Sequence, residues 1–299
     1  MTSDTINLTC PAKLNLALSV GAPDGGFGGL HPIASWMVAL AFADRLKLTR
    51  TNVQPSRFSI AFEQDPTAAR VDWPLDQDLA YRAHALLTEH VGAPLPIDLA
   101  LKKRIPAGAG LGGGSSNAAG VLVGLNRLFE LGLDEPALRT IGTRLGSDVP
   151  FLIGALLGRP AAVVTGAGDR IESVPMGLTL HIVLIFPPFG CSTSQVYRGF
   201  DELAGPDQRV NLSPVRALAA SRPVNPDALF NDLAAAAGRV EPKLAALHRE
   251  LTTKMARPVQ VSGSGSTLFL LAPDAPAGRE LARQVTAWTG LPAVATRTM

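Results

Sequence analysis

The sequence predicts an α+β protein of two lobes. Stretches with the two-residue period of strands and stretches with the 3.6-residue period of helices are interleaved along the chain, but without the strict alternation of a parallel α/β sheet. The length of 299 residues suits one large or two moderate domains. A hydrophobic share of 46% against a charged share of 17% indicates a globular protein with a sizeable core.

Residues 1–160 are assigned to the first lobe. Pro11 is expected to divide its first strand in two, and the glycines of segment 21–29 are expected to form a turn. Apolar residues at helical spacing predict helices at Leu79–His90, Ala118–Phe129 and Asp134–Leu145. The predicted strands of this lobe are Ile6–Cys10, Leu14–Val20, Met37–Phe42, Arg45–Leu48, Phe58–Phe62 and Ile97–Leu101.

At Ala161 the pattern changes, and residues 161–299 are assigned to the second lobe. Apolar strands open this lobe, and a loop of small residues joins two later apolar segments. The predicted strands are Ala161–Thr165, Leu178–Phe186, Val259–Val261, Thr267–Leu271 and Ala293–Thr296. The predicted helices are Ser194–Leu203, Ala228–Val240, Lys243–Met255 and Arg279–Trp288.

The segment from Lys103 to Ala119 is rich in glycine and leads directly into a helical pattern. Glycine reaches positive φ without penalty, and its missing Cβ lets backbone N–H groups approach a ligand closely. The N-terminus of a helix adds unpaired N–H donors and the positive end of the helix dipole. We therefore predict a phosphate-binding loop; the alternative is a merely flexible loop. Its glycines are Gly108, Gly110, Gly112, Gly113 and Gly114.

The sequence separates this loop from two common phosphate-binding patterns. A P-loop requires G-x-x-x-x-G-K-[ST], and no lysine follows any glycine of the segment. The dinucleotide pattern G-x-G-x-x-G is matched from Gly108 to Gly113, but a persuasive βαβ unit with a suitably spaced acidic residue is lacking. Ser115, Ser116 and Asn117 place hydroxyl and amide groups where a phosphate or a metal ion would bind.

Four further places could carry chemistry, and each has a plain structural alternative. Lys13 could face a site, or face water at a strand edge. Asp148 could accept a proton from an attacking hydroxyl, although capping a short helix that begins near Pro150 is the more frequent role. His31 could contact a ligand or be solvated. Ser262–Ser266 could be an anion-binding nest or a tight hairpin turn.

Charge and composition exclude several classes of function. The net charge is +2 and no basic run alternates with aromatic residues, so nucleic acid is not an expected partner. The N-terminus lacks the charged and apolar regions of a signal peptide, and the apolar runs are too short to span a bilayer. Cys10 and Cys191 suffice for neither a disulfide framework nor a metal site. We expect a cytoplasmic protein with no membrane partner.

Taken together, these segments resemble the GHMP kinase superfamily through ordered motifs over almost the whole chain. The glycine-rich loop resembles the superfamily's phosphate loop in a variant that ends Gly-Gly-Gly-Ser-Ser-Asn-Ala-Ala. The resemblance is greatest with the branch whose substrate is a cytidine diphosphate sugar-alcohol. The matching motifs are Pro11–Leu16, Pro106–Ala119, Leu145–Pro150, Gly166–Arg170, Asn231–Asp232 and Ser262–Ser266.

The resemblance implies a fold and a reaction. The fold would be the two-lobed GHMP kinase fold, with an N-terminal nucleotide-binding domain at residues 1–160 and a C-terminal ferredoxin-like, substrate-side domain at 161–299. The reaction would be phosphoryl transfer from ATP, with Mg²⁺, to the 2-hydroxyl of 4-diphosphocytidyl-2-C-methyl-D-erythritol in the non-mevalonate isoprenoid pathway. The protein would act as a monomer or a homodimer.

The resemblance also implies roles for single residues. Asp148 would orient or deprotonate the attacking hydroxyl, and Lys13 would hold that carboxylate and offset charge that develops during transfer. Asn15 and His31 would contact the substrate, with His31 at the cytosine edge, and Tyr197 would stack on the cytosine ring. The residues that would bind ATP are Lys103, Pro106, Ala107, Gly108, Ala109, Gly110, Leu111, Gly112, Gly113, Gly114, Ser115 and Ser116.

The chain departs from the family pattern at three positions. Leu30 stands where a tyrosine usually forms the second wall of the cytosine site. Base stacking is worth about 1–3 kcal/mol, so its loss would weaken cytidine binding roughly tenfold or more unless Phe27 replaces it. Asp78 stands where an asparagine commonly lies near the adenine, and Ala109 replaces a glycine and requires a negative φ.

Two other functions stay open at this point. A GHMP kinase could act on another small alcohol, such as homoserine or a mevalonate derivative. Leu30, which stands where the family usually has a tyrosine, favours this alternative, whereas His31 and Tyr197 favour the cytidine substrate. A non-catalytic module could keep the fold and bind a nucleotide. The presence of both Lys13 and Asp148 argues against the module, which has no physical need for both residues.

Overall fold

The computed structural model describes residues 4–23, 28–63 and 73–299. Their contacts divide the chain into two units. Unit 1 comprises Met1–Ala12, Phe42–Ala107 and Gly112–Pro160. Unit 2 comprises Lys13–Ala41, Gly108–Leu111 and Ala161–Met299. Strands and helices occur in both units, as the predicted α+β class requires.

Unit 1 combines sheet strands with several helices. β3 (Arg57–Phe62) pairs in parallel with β4 (Ile97–Lys103), and β4 pairs antiparallel with the second half of β2 (Ile33–Arg50). Side chains of β4 alternate between buried and more exposed positions, which is the pattern of a strand with one face on the core. The helices are α1 (Leu79–Val91), α2 (Gly113–Leu128), α3 (Glu135–Thr143) and α4 (Val149–Leu156).

In unit 2, the second half of β1 (Thr5–Val20) pairs in parallel with β8 (Phe230–Asn231). The first half of β2 pairs antiparallel with β5 (Ala161–Gly166), which also pairs with β6 (Arg170–Ser173). A second, antiparallel sheet has the order β11 (Ala293–Arg297), β7 (His181–Ile185), β10 (Leu268–Ala272), β9 (Gln260–Val261). The helices are α5 (Thr193–Ala204), α6 (Leu212–Ala220), α7 (Ala234–Val240), α8 (Pro242–Met255) and α9 (Ala275–Thr289).

The predicted boundary between residues 160 and 161 coincides with one border between the units. Residues 13–41, however, group with unit 2 although they precede that boundary in sequence. The reason is strand pairing, because Ala17 and Leu18 pair with β8 and Ile33–Val38 pairs with β5. Such long-range pairings leave no local signal in the sequence.

Two predicted breaks in the N-terminal strands are wrong. β1 continues through Pro11, because proline removes one backbone donor but its fixed φ is compatible with extended backbone. β2 continues through Ala43 and Asp44, which separate the two predicted strands. Asp44 is fully buried there and accepts hydrogen bonds from the backbone N–H groups of Arg104 and Ile105. These partners, far along the chain, explain how a carboxylate is tolerated inside a strand.

The helix predicted over Ala228–Val240 is wrong in its first half. Pro226–Ala228 forms a short 3-10 turn, β8 follows, and the helix α7 begins only at Ala234. The sequence prediction also lacked α6 and β6. By contrast, α1 agrees closely with the predicted Leu79–His90, and α9 extends the predicted Arg279–Trp288 at its N-terminus to Ala275, where Asp274 caps it.

Candidate active site

The glycine-rich loop begins in unit 2 with residues 108–111. The Lys13 backbone N–H donates to the Leu111 carbonyl at 2.9 Å, and the Ser262 hydroxyl donates to the Gly110 carbonyl at 2.9 Å. Gly108 and Gly110 have φ values of 66° and 73°, so both adopt the left-handed conformation that glycine permits. Hydrogen bonds to Lys13 and Ser262 therefore give the loop a defined shape.

In unit 1 the loop passes into α2, whose N-terminus has no side-chain cap. Gly112 is the N-cap residue, with a φ of 68°, and it cannot supply a capping oxygen. The N–H groups of the first helical turn have no intrahelical acceptor and point along the helix axis. The Ser116 hydroxyl is buried in the same turn and has no hydrogen-bond partner among the residues that the structure describes. Uncapped N–H groups beside an unsatisfied hydroxyl suit a bound phosphate.

Lys103 lies in a buried polar cluster of unit 1. Its ammonium is 3.0 Å from an Asp44 carboxylate oxygen and 2.6 Å from the Asn117 amide oxygen, and the side chain is 4% exposed. The Asn117 amide nitrogen donates to Asp44 at 2.8 Å. Asp44 also accepts the two backbone N–H groups that open the loop. This arrangement makes Lys103 an anchor of the glycine-rich loop. The family resemblance implied only that Lys103 would bind ATP.

The thiol next to this cluster is chemically quiet. Burial and the negative charge of Asp44 raise the pKa of Cys10 from 9.0 to about 12. Burial also raises the pKa of Cys191. Because the thiolate is the reactive form, these raised pKa values lower the reactivity of both thiols.

Lys13 lies in a chain of buried polar side chains in unit 2. Its ammonium donates to the Asn15 amide oxygen at 2.8 Å, and the Asn15 amide nitrogen donates to the Ser35 hydroxyl at 2.8 Å. Ser35 in turn donates to the Ala17 carbonyl at 2.8 Å. Lys13 is only 5% exposed and Asn15 only 3% exposed. The alternative of a strand-edge lysine that faces water is therefore wrong, and the network fixes the position of the ammonium.

The loop Ser262–Ser266 connects β9 with β10 and approaches Lys13. A Cβ added to Gly263 would lie 3.3 Å from the Lys13 ammonium and 3.4 Å from the Asn15 amide oxygen. The Asn231 amide nitrogen donates to the Gly263 carbonyl at 2.7 Å and to the Val261 carbonyl at 2.8 Å. The hairpin interpretation is thus confirmed, and the same hairpin brings small residues next to Lys13 and Asn15.

His31 is held by α5. Its Nε2 atom is 2.7 Å from a carboxylate oxygen of Asp201, and its ring centroid is 4.7 Å from that of Tyr197. Both partners lie on one face of α5, one turn apart. Leu30 precedes His31 and is 58% exposed. Phe27, which we considered as a replacement for the missing tyrosine, lies outside the described residues.

Asp148 belongs to unit 1 and occupies the N-cap position of α4. Its backbone angles are helical, with φ −82° and ψ −18°, and its side chain makes no capping hydrogen bond. A residue whose only role was capping would have extended backbone angles and a bond to the first helical turn. The capping alternative is therefore wrong for this side chain.

The relatives of the chain decide its family. The family of the GHMP kinases N terminal domain matches residues 78–155. The chain is 37% identical over 294 residues to 4-diphosphocytidyl-2-C-methyl-D-erythritol kinase of Symbiobacterium thermophilum, covering 94% of this chain and 95% of the relative. It is 35% identical over 291 residues to the enzyme of that name from Moorella thermoacetica, with the same two shares. This chain belongs to the 4-diphosphocytidyl-2-C-methyl-D-erythritol kinase family.

Solved structures agree with this family assignment. A crystal structure of 4-(cytidine 5'-diphospho)-2C-methyl-D-erythritol kinase matches with a TM-score of 0.75 at 34% identity, over 98% of this chain and 99% of the other. Homoserine kinase from Cytophaga hutchinsonii matches with a TM-score of 0.70 at 16% identity, over 100% and 96% of the two chains. The second similarity shows the fold alone. The GHMP kinase fold implied by the sequence motifs is confirmed.

Some residues of the candidate site were not predicted from the sequence. Asp44 had a signal, since it is a lone carboxylate in an apolar run. Asn117 was expected beside a phosphate or a metal ion, and the structure places its amide between Lys103 and Asp44. Asp201 and Ser35 had no signal, because only the fold brings them to His31 and Asn15.

The described ranges contain no group of three or more His, Cys, Asp and Glu residues that could hold a metal ion. No helix within them is long and apolar enough to cross a membrane.

Proposed function

We propose that this chain transfers the γ-phosphoryl group of ATP to the 2-hydroxyl of 4-diphosphocytidyl-2-C-methyl-D-erythritol. The observation that carries the proposal is the near-full-length similarity, at 34–37% identity, to enzymes that bear the name of this activity. The neighbours named for homoserine and mevalonate share only 16% and 12% identity. Their resemblance supports the fold and favours neither substrate.

The nucleotide would be bound by the glycine-rich loop from Pro106 to Ser116. Its uncapped helix N-terminus supplies N–H donors and a positive dipole end to the phosphates. The unsatisfied Ser116 hydroxyl fits a phosphate oxygen or a cation held between phosphates. Mg²⁺, when bound, would offset the phosphate charge, and the hydroxyls of Ser115 and Ser116 are the groups of this loop that would hold it.

Two charged residues would serve the transfer itself. Asp148 would accept the proton of the attacking 2-hydroxyl, a role for which a carboxylate outside a cap is suited. Lys13 would offset negative charge that grows on the transferred group, since its ammonium is buried and held by Asn15. Phosphoryl transfer asks the protein mainly for positioning and charge stabilisation, and fixed buried groups provide both.

The cytosine would lie beside His31 and Tyr197. Tyr197 would offer a ring face for stacking, and Asn15, whose side chain is held by Lys13 and Ser35, would contact the substrate. Leu30, which is exposed, would contribute apolar contact but no π face. We expect the enzyme to accept the cytidine substrate with a higher KM than a relative that carries tyrosine at this position.

The experiment that tests the proposal is a substrate comparison. Three reactions are compared, each with purified protein and Mg-ATP. They contain 4-diphosphocytidyl-2-C-methyl-D-erythritol, homoserine or mevalonate as the acceptor, and ADP release is followed in each. We expect ADP release only with the cytidine substrate, and a product heavier by one phosphoryl group. ADP release with another alcohol would move the assignment to that substrate. ATP binding without transfer to any of them would favour a non-catalytic module.

A further inference from the structure

Helix α5 surrounds the His31 ring with three side chains. Tyr197 packs against it at a tilt of 47°, Phe200 meets it edge-on with centroids 6.2 Å apart, and Asp201 bonds its Nε2 atom at 2.7 Å. The His31 side chain is 13% exposed and Asp201 is 41% exposed. The imidazole is therefore held in one orientation by two rings and one carboxylate.

The carboxylate decides which ring nitrogen carries the proton. An ionised carboxylate only accepts hydrogen bonds, so Nε2 of His31 must be the donor to Asp201. In the neutral ring, Nδ1 then keeps its lone pair and is a hydrogen-bond acceptor. Among the described residues, Nδ1 has no hydrogen-bond partner. The ring thus offers an acceptor of known identity to a ligand.

We infer that Asp201 is a positioning residue that makes His31 Nδ1 an acceptor, and that this acceptor selects a base with an exocyclic amino group. The inference rests on the proposed function, because it concerns the base of that substrate. Cytosine presents an amino donor at its ring position 4, whereas uracil presents a carbonyl acceptor there. A carbonyl facing a lone pair makes no hydrogen bond and leaves a polar group unpaired.

Without Asp201 the selection would weaken. Nε2 of His31 would bond to water, and the imidazole proton would distribute between both nitrogens. Nδ1 would then be a donor for part of the time, and a donor is able to bond the uracil carbonyl. Removal of Asp201 would therefore reduce the preference for cytidine, while the phosphoryl-transfer groups Lys13 and Asp148 stay unchanged.

The first test reads the tautomer without any ligand. Protein labelled with ¹⁵N histidine is studied by long-range ¹H–¹⁵N NMR at mildly alkaline pH, where free imidazole is neutral. We expect a protonated Nε2 and an unprotonated Nδ1 for His31, and a mixture of both tautomers in Asp201→Ala. A wild-type ring protonated at Nδ1 would overturn the inference. This readout does not depend on the proposed reaction.

The second test compares bases. The KM and kcat of wild type and Asp201→Ala are measured with the cytidine substrate and with its uridine counterpart. We expect Asp201→Ala to raise the cytidine KM about 3- to 10-fold with little change in kcat, and to narrow the preference for cytidine over uridine by a similar factor. The matched control is Glu202→Ala, which removes the next carboxylate of α5, paired with Arg239 rather than His31.

The two tests separate the possible failures. Asp201→Ala could lose the fixed His31 tautomer and still prefer cytidine as strongly as wild type. That result would overturn the role of His31 Nδ1 in selecting the base and would leave the role of Asp201 in fixing the tautomer intact. Absence of turnover with either nucleotide in wild type would contradict the proposed function, and the NMR result would still decide the tautomer. Equal effects of Asp201→Ala and Glu202→Ala would contradict a specific role for Asp201.

Discussion

At the scale of single residues, Gly110 is the position where the loop leaves least room for a side chain. A Cβ there would lie 2.2 Å from the Ser262 carbonyl oxygen and 2.9 Å from the Gly265 carbonyl oxygen, and the φ of Gly110 is 73°. We expect Gly110→Ala to displace the loop and raise the KM for ATP tenfold or more, on the order of 1.4 kcal/mol of binding.

Gly108→Ala is the matched control for this prediction. Gly108 has a similar φ of 66°, but a Cβ there meets nothing within 4 Å. Both variants carry the backbone strain of a left-handed residue, and only Gly110→Ala adds a collision with backbone. Steady-state kinetics with varied ATP distinguishes them. Equal KM values in the two variants would show that the contact with Ser262 does not shape the nucleotide site.

In the proposed function, Asp148 is the base that accepts the proton of the attacking hydroxyl. Asp148→Asn keeps the shape of the side chain but removes the base, so we expect turnover to fall by about 10²–10⁴ while the ATP affinity stays near normal. Single-turnover kinetics and a separate ATP titration measure the two quantities. A variant that retained most of its turnover would exclude Asp148 as the base.

Leu30 tests the predicted wall of the cytosine site. Leu30→Tyr adds a ring face next to His31, and we expect the KM for the cytidine substrate to fall by roughly tenfold, since stacking is worth about 1–3 kcal/mol. Val53→Tyr, at another exposed apolar position, is the control for an added tyrosine elsewhere. An unchanged KM in Leu30→Tyr would remove Leu30 from the substrate site.

At the scale of elements, the polar cluster that joins β2, β4 and α2 anchors the glycine-rich loop. Lys103→Met would leave Asp44 buried without its cation, so we expect a loss of about 3–5 kcal/mol in the free energy of unfolding. Lys102→Met is the matched control, because the neighbouring Lys102 is exposed. Urea unfolding of both variants measures the difference, and similar losses in the two would refute the anchoring role.

Helix α1 carries a pH-dependent contribution to stability through His84. Burial lowers the pKa of His84 below 6.5, and its Nε2 lies 2.8 Å from the Leu95 carbonyl. Below pH 6.5, His84 is therefore protonated more readily in the unfolded chain than in the folded protein. We expect the free energy of unfolding to fall as the pH drops from 6.5 toward the lowered pKa, and to fall less in His84→Gln. An equal pH slope in both proteins would contradict this.

Elements with local signals could be predicted from the sequence, and elements made by distant partners could not. α1 has its Asp78 cap and its closing Gly92 within the segment itself. β8 was missed because the residues that pair with it, Ala17 and Leu18 of β1, lie far away in the sequence. In the site, Lys13 and Asn15 could be predicted because they lie in the motif Pro11–Leu16. Asp201 could not be predicted as the partner of His31, because the two are 170 residues apart in sequence.

At the scale of the whole molecule, the fold narrows the function only to a class. Kinases named for homoserine and for mevalonate share this fold at TM-scores of 0.70, so the architecture serves several small alcohols. We propose that the choice of substrate lies in single residues of unit 2 such as His31, Tyr197 and Leu30. The choice of hydroxyl would then depend on how these residues position the alcohol.

The site of phosphorylation therefore tests the central claim most directly. The carbon that bears the 2-hydroxyl of 2-C-methyl-D-erythritol carries a methyl group and no hydrogen. We predict that ³¹P NMR of the product of Mg-ATP and 4-diphosphocytidyl-2-C-methyl-D-erythritol shows a new phosphomonoester signal without coupling to a proton on the esterified carbon. A signal split by such protons, as transfer to a neighbouring hydroxyl would give, or no new monoester at all, would contradict the account.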